Sequence, residues 1–210
     1  MIWPNGSLKC ETPPTYPAPR ARRLQRSPPG RTPSVHPGRL TEASTALFGL
    51  EAMAMHRMQK HSFRRATSAD VGTIREITRA AYTKWVPVIG REPKPMTANY
   101  ERAVADHVID LLEEGGRPIA LIELIPAPSH LLIKNIAVLP DRHRNGAGGL
   151  LLEHATTIAR SLRLSELRLY TNAMLSTNIA FHVRRGFEEF LRERHPAGGE
   201  VVHMKKSIAS

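Results

Sequence analysis

Residues 131–139, Leu-Leu-Ile-Lys-Asn-Ile-Ala-Val-Leu, constrain the fold of this chain more than any other segment. Ile133, Ile136, Ala137 and Val138 do not alternate with polar residues, which predicts a central strand covered on both faces rather than a half-solvated one. Pro140 breaks the run. A turn, Asp141-Arg142-His143-Arg144-Asn145-Gly146-Ala147-Gly148-Gly149, follows it. Leu151, Ala155, Ile158 and Leu162 then recur on one face of a helix over residues 150–162. A doubly covered strand leading straight into an amphipathic helix points to a sheet flanked by helices.

The flanking segments extend that pattern. Residues 61–66 read as a short strand. Thr67 or Ser68 caps the next helix, and Asp70 lies in its first turn, where a carboxylate suits the helix dipole. Val71, Ile74, Ile77, Ala81 and Tyr82 give that helix its apolar stripe over residues 69–82. Three prolines and a glycine make residues 86–96 a predicted loop, and residues 98–105 a second short helix. Strands are expected over 108–112, 118–125, 167–170, 187–192 and 200–205, with a helix over 177–185. The fold class is α/β in the wide sense (α+β), with a central mixed sheet.

Composition separates the N-terminus from this domain. Nine of the 17 prolines fall within residues 1–40, and residues 1–60 carry nine Lys/Arg against three Asp/Glu, a local +6 of the chain's +11. Residues 1–60 are therefore expected to be a disordered Pro/Arg-rich tail, and residues 61–208 one domain. The tail reads as a solvated extension; a phosphate-binding arm, an organelle transit peptide and a Pro-rich ligand are the alternatives. Cys10, the single cysteine, lies there too, which excludes an intramolecular disulfide and a Cys-based zinc site. With that cysteine usage a reducing, cytoplasmic setting is the default; no apolar run approaches the ~20 residues that span a bilayer.

The turn after the central strand is where chemistry is expected. Gly146, Gly148 and Gly149 let the backbone approach a ligand, and the new helix presents unpaired N–H groups there, so the turn is a candidate anion site. Arg142, His143 and Arg144 add positive charge. The Gly-Lys-Ser/Thr ending of a nucleoside-triphosphate loop is missing, and the spacing does not fit the dinucleotide fingerprint. By itself the turn fits plain helix entry as well as ligand binding.

His143-Arg144-Asn145-Gly146-Ala147-Gly148 resembles the Arg/Gln-x-x-Gly-x-Gly/Ala signature of the GNAT superfamily of N-acetyltransferases, and it follows a strand ending Ala137-Val138-Leu139-Pro140. Asn178-Ile179-Ala180-Phe181-His182-Val183-Arg184-Arg185-Gly186-Phe187 is similar to that family's second signature, Ala-x-x-Phe-Tyr-x-x-x-Gly-Phe. The resemblance covers roughly residues 63–208. It implies a mostly antiparallel sheet and acetyl-CoA as acetyl donor. The amides of His143, Arg144, Asn145, Gly146, Ala147, Gly148 and Gly149 are then expected to hold the donor's pyrophosphate. Its pantetheine arm is expected along Ile136, Ala137 and Val138, with Asn178 touching the same arm or capping its helix. Two departures stand out: His143 replaces the leading Arg or Gln, and His182 replaces the Tyr that commonly protonates the leaving thiolate.

Transfer to an amine needs a base and an acid, because an amine of pKa about 10.4 must lose a proton and a thiolate of pKa about 8.5 should gain one. Glu123 is the candidate base. It shares a strand face with Leu121 and Ile125, so a merely solvated Glu123 would expose both. His182 is the candidate acid, with a packed or surface histidine as the alternative. Tyr170 is expected in the core. The remaining histidines show no ligand spacing, and no metal is expected. Arg91 and Lys94 lie in the loop where such folds set acceptor choice, and could receive an acidic substrate or be solvated. The expected activity is acetyl-CoA-dependent N-acetyl transfer, by direct attack, to a primary amine of a small molecule or peptide. A non-catalytic acyl-CoA-binding module is the alternative. Nucleic acid is not an expected partner, since more than half of the excess charge is in the tail. A homodimer is compatible with the sequence.

Overall fold

The computed structural model describes residues 61–194 and 198–208; the expected tail of residues 1–60 and His195 lie outside them. Strand β1 is His61–Arg65, and helix α1 is Val71–Tyr82, entered through a 3-10 turn at Ser68–Asp70. The predicted start is a capping box: Asp70 accepts from the Thr67 amide at 2.8 Å and the Thr67 hydroxyl at 2.9 Å. Arg64 clamps the same carboxylate with both terminal nitrogens, 2.9 and 2.8 Å away, which ties β1 to α1 and holds the Asp70 carboxyl well below the usual carboxylate range.

Residues 86–96 contain more order than a loop. They hold a one-turn helix, α2 (Val86–Ile89), and the start of a 3-10 turn at Lys94–Thr97. Their prolines sit at helix starts, where a missing N–H costs nothing, and Gly90 ends α2 at φ 76°. Helix α3 (Tyr100–Asp106) is capped by Asn99, whose side chain accepts from the Arg102 amide.

Six further strands follow: β2 (Val108–Glu114), β3 (Arg117–Pro126), β4 (Leu131–Val138), β5 (Glu166–Asn172), β6 (Glu188–Arg194) and β7 (Glu200–Ser207). Helix α4 (Ala147–Ser161) joins β4 to β5, and α5 (Ser176–Val183) joins β5 to β6. The seven described strands form one sheet, ordered β1-β2-β3-β4-β5-β7-β6, antiparallel except for β4 with β5. This is the mixed, mostly antiparallel sheet expected, with helices on both faces. Leu151, Leu152, Ala155 and Ala159 of α4 pack on Ile122, Leu124 and Ile133 on one face. Ile74, Ile77 and Ala81 of α1 join Tyr100 of α3 over Leu111, Leu121 and Ala137 on the other. Among the described residues no helix is long and apolar enough to cross a membrane.

One irregularity shapes everything downstream. Leu124 pairs with Ile133 but Glu123 pairs with Asn135, so Lys134 is an extra residue in β4. Such a bulge bends the strand and inverts the alternation beyond it. Leu131 and Ile133 face α4, whereas Ala137 faces α1. Pairing of β4 with β5 also ends there, at Ile133 opposite Leu169. From Lys134 to Val138 the β5-facing edge of β4 has no strand partner among the described residues.

Candidate functional site

A cavity of about 630 Å³ opens where β4 and β5 part. The turn before α4, helix α5 and the end of α1 line it together with the parted edges of β4 and β5. Arg144 at φ 67° and Gly146 at φ 85° swing the turn so that α4 starts at Ala147, earlier than predicted, with its glycines inside the helix. The first backbone bond back into the turn is Gly149 N–H to Gly146 O, so the Ala147 and Gly148 amides stand at a helix start with no intrahelical acceptor.

Two other glycines serve packing. A Cβ on Gly148 would come 3.1 Å from Phe181 Cζ, and one on Gly149 would come 2.5 Å from the Arg185 guanidinium. These glycines let α4 and α5 close on each other around the cavity.

The turn's three cationic side chains divide their roles. Arg142 is tied to Glu114 at 3.0 Å and Asp141 at 2.9 Å, so its charge is locally balanced. His143 Nε2 stands 2.9 Å from the Val138 carbonyl oxygen and braces the turn on β4. Arg144 is exposed at the cavity. Lys84, Lys134, Arg184 and Arg185 join these on the cavity wall, and no Asp or Glu lines it among the described residues. Arg185 also lies over the Phe181 ring, 5.6 Å from its centroid, and 3.8 Å from Glu153. A cation-rich wall with no carboxylate in its lining, beside the Ala147 and Gly148 amides, suits a polyanion.

Of the residues expected at the site, Ile136, Val138, His143, Arg144, Gly146, Ala147, Gly148, Gly149, Asn178 and His182 line this one cavity. Asn145 and Ala137 do not. Ala137 turns its side chain under α1 after the Lys134 bulge, at 1% exposure.

His182 lies between Phe181 and Phe187, with ring centroids 5.2 and 5.6 Å away. Its Nδ1 is buried with no hydrogen-bond partner among the described residues, and burial lowers its pKa to about 4. At neutral pH it is therefore a neutral imidazole, not the imidazolium that a histidine acid requires.

Glu123 is not brought to the cavity. Alternation correctly excludes a solvated position, but α1 and α3 fill the space over that face. Its carboxylate meets His107 Nδ1 at 2.6 Å, at 4% exposure. Tyr170, expected in the core, is 39% exposed and lines the cavity.

The sequence reading missed a buried polar chain. Tyr82 donates to Asn135 Oδ1 at 2.8 Å, Asn135 Nδ2 donates to Tyr100 at 3.3 Å, and Tyr100 donates to the Pro95 carbonyl at 2.8 Å. Burial pushes the Tyr82 phenol up, and that of Tyr100 up to about 12, so both are neutral donors. The signal was the Lys134-Asn135 pair inside an apolar strand, where a buried amide needs partners.

Among curated proteins no sequence matches this chain. Solved structures match its fold. Ribosomal-protein-S18-alanine N-acetyltransferase from Escherichia coli is 20% identical with a TM-score of 0.57, over 71% of this chain and 95% of that one. The PaiA N-acetyltransferase of Thermoplasma acidophilum, in complex with coenzyme A, is 18% identical with a TM-score of 0.60, over 70% and 98%. A GNAT family acetyltransferase from Elizabethkingia anophelis with acetyl-CoA bound is 15% identical with a TM-score of 0.57, over 71% and 99%. The model of the Acetyltransferase (GNAT) family matches residues 71–187, more than half of the 210-residue chain. The chain belongs to that family, and it is an acyltransferase.

Proposed function

We propose that this protein transfers an acetyl group from acetyl-CoA to a primary amine of a small molecule or peptide, by direct attack of the amine on the thioester. The carrying observation is the cavity wall. Arg144, Arg184, Arg185 and the Ala147 and Gly148 amides offer a polyphosphate donor charge and N–H groups, and among the described residues no carboxylate lines the cavity. The unpaired edge of β4 beyond Lys134 offers backbone groups to an amide-bearing arm. Gly148, lacking a Cβ, keeps Phe181 close at the same place.

In the transfer, the amine nitrogen bonds to the acetyl carbon, the carbon–sulfur bond breaks, the nitrogen loses a proton and the thiolate gains one. Neutral His182 is a weak source for that last proton. Tyr170, exposed on β5 at the parting of the strands, is the proposed donor, and His182 shapes the wall behind it. Glu123, bound to His107 beneath the Tyr82–Asn135 layer, is not the base; solvent takes the amine's proton. Positioning carries most of the acceleration, since well-oriented reactants gain about 7–11 kcal/mol and one acid adds about 10²–10⁴-fold.

The test is thiol release from acetyl-CoA with amines, amino acids and peptides, beside calorimetric binding of acetyl-CoA. Turnover with an amine supports transfer. Tight acetyl-CoA binding with no turnover on any amine favours a non-catalytic acyl-CoA-binding module.

A further inference from the structure

A second, smaller cavity of about 160 Å³ adjoins the first beyond the parted strands. Tyr82, Lys134, Tyr170, Thr171 and Asn178 line both, so the two meet between β4 and β5. If the large cavity takes the donor, the small one receives the acceptor. Its volume equals about five waters' share of liquid, enough for a compact head group.

The charge of this second cavity is one-sided. Arg91, Lys94 and Lys134 line it, and no carboxylate does among the described residues. Glu92, beside Arg91 in sequence, is not in its lining and accepts from Arg79 at 3.0 Å. Tyr170, Asn172 and Asn178 supply neutral polar groups, and Ile89, Pro93, Leu175 and Val201 supply the apolar ones. A polyamine or a lysine-rich peptide would bring a second positive charge against three cations. A carboxylate would meet those cations at close range.

Resting on the proposed donor site, we propose that the acceptor is a small amino acid, its carboxylate held by Arg91, Lys94 and Lys134 and its amine presented at the parting of β4 and β5. Lys134 fixes the spacing. It borders both cavities, so a carboxylate beside it lies within a few bonds of a nitrogen that reaches the thioester. The same cations disfavour a protonated amine, which helps supply the neutral nucleophile in a site without a carboxylate base.

The experiment compares the proteinogenic amino acids with their carboxamides as acceptors, with spermidine alongside, and reads thiol release. At least one amino acid should show kcat/KM about tenfold or more above its carboxamide, and spermidine should be the poorest acceptor. Arg91→Ala/Lys94→Ala should bring that ratio toward one, and Arg91→Lys should restore part of it. Acetyl-CoA affinity by calorimetry serves as the folding control for each variant. If acetyl-CoA binds and the carboxamides or spermidine react at least as fast as the acids, the acidic acceptor is overturned and transfer stands. If acetyl-CoA does not bind, both readings fall; if it binds and nothing in this panel is acetylated, the amino-acid acceptor is overturned and the wider transfer reading rests on the peptide arm of the thiol-release test.

Discussion

Phe181 of α5 lies against the α-carbon of Gly148 in α4, so closely that an added Cβ would stand 3.1 Å from its ring. This contact, between residues 33 positions apart, joins the two sequence signatures into one wall. The loop residue and the helix aromatic are one packing unit, and Gly148 is small because Phe181 needs its space.

Gly148→Glu should therefore abolish acetyl-CoA binding by pushing Phe181 from the wall and by placing a carboxylate among the cations. Gly148→Ala needs only a few tenths of an ångström from the ring. It should weaken binding by up to about tenfold, at the low end of the 1–3 kcal/mol typical of an overpacked contact. Calorimetry on variants with unaltered circular dichroism checks both. Wild-type affinity in Gly148→Glu would remove this turn from the donor site.

Tyr170→Phe removes the proposed proton donor and leaves the ring. A fall in kcat of about 10–10³-fold with unchanged acetyl-CoA affinity is expected, because one general acid contributes within or below the 10²–10⁴ range and a thiolate leaves tolerably without help. Steady-state kinetics with the best acceptor measure it. Wild-type kcat in this variant would assign the proton to solvent.

Glu123→Gln is expected to act on stability and hardly on rate. The carboxylate's partner is His107 at 2.6 Å, and an amide keeps one acceptor but loses the charge-assisted bond, at a cost of about 1–2 kcal/mol. Urea unfolding should show that loss while kcat stays within about threefold. A drop beyond a hundredfold in a folded variant would restore Glu123 as the base.

Much of this architecture is legible in the sequence because it rests on local rules. The Thr67–Asp70 box, the apolar stripe of α1 and the break at Pro140 need no tertiary information. The bulge at Lys134 does. Nothing in Ile133-Lys134-Asn135-Ile136 says that β4 will flip its faces there, so Ala137 could not be placed under α1 from sequence. Glu123 shows the same limit. Alternation puts it on a covered face, but only the fold says that the cover is α1 and α3, with His107 at hand, rather than an open cleft. The rest of the cationic wall, beyond Arg144, was hidden for another reason: Lys84, Lys134 and Arg184 come from three separate segments, and none is unusual in its own.

His182 gives the prediction with a defined pH window. In the unfolded chain its imidazole ionises near pH 6.5, whereas in the folded protein burial holds it neutral down to about pH 4. Between those values the unfolded state binds more protons, so this residue makes stability rise with pH, and acidification from pH 7 to pH 4 weakens the fold. His182→Phe has no such proton to take up. Its unfolding free energy should fall less than wild type's between pH 7 and pH 5, by chemical denaturation at each pH. The same neutrality bears on rate. Only about one imidazole in a thousand carries a proton at pH 7 when the pKa is near 4, so His182→Ala should lower kcat by less than about tenfold. His182→Tyr should keep or raise activity by bringing a second phenol to the cavity. A kcat loss beyond a hundredfold in His182→Ala, with acetyl-CoA affinity intact, would make His182 the proton donor and relegate Tyr170 to the wall.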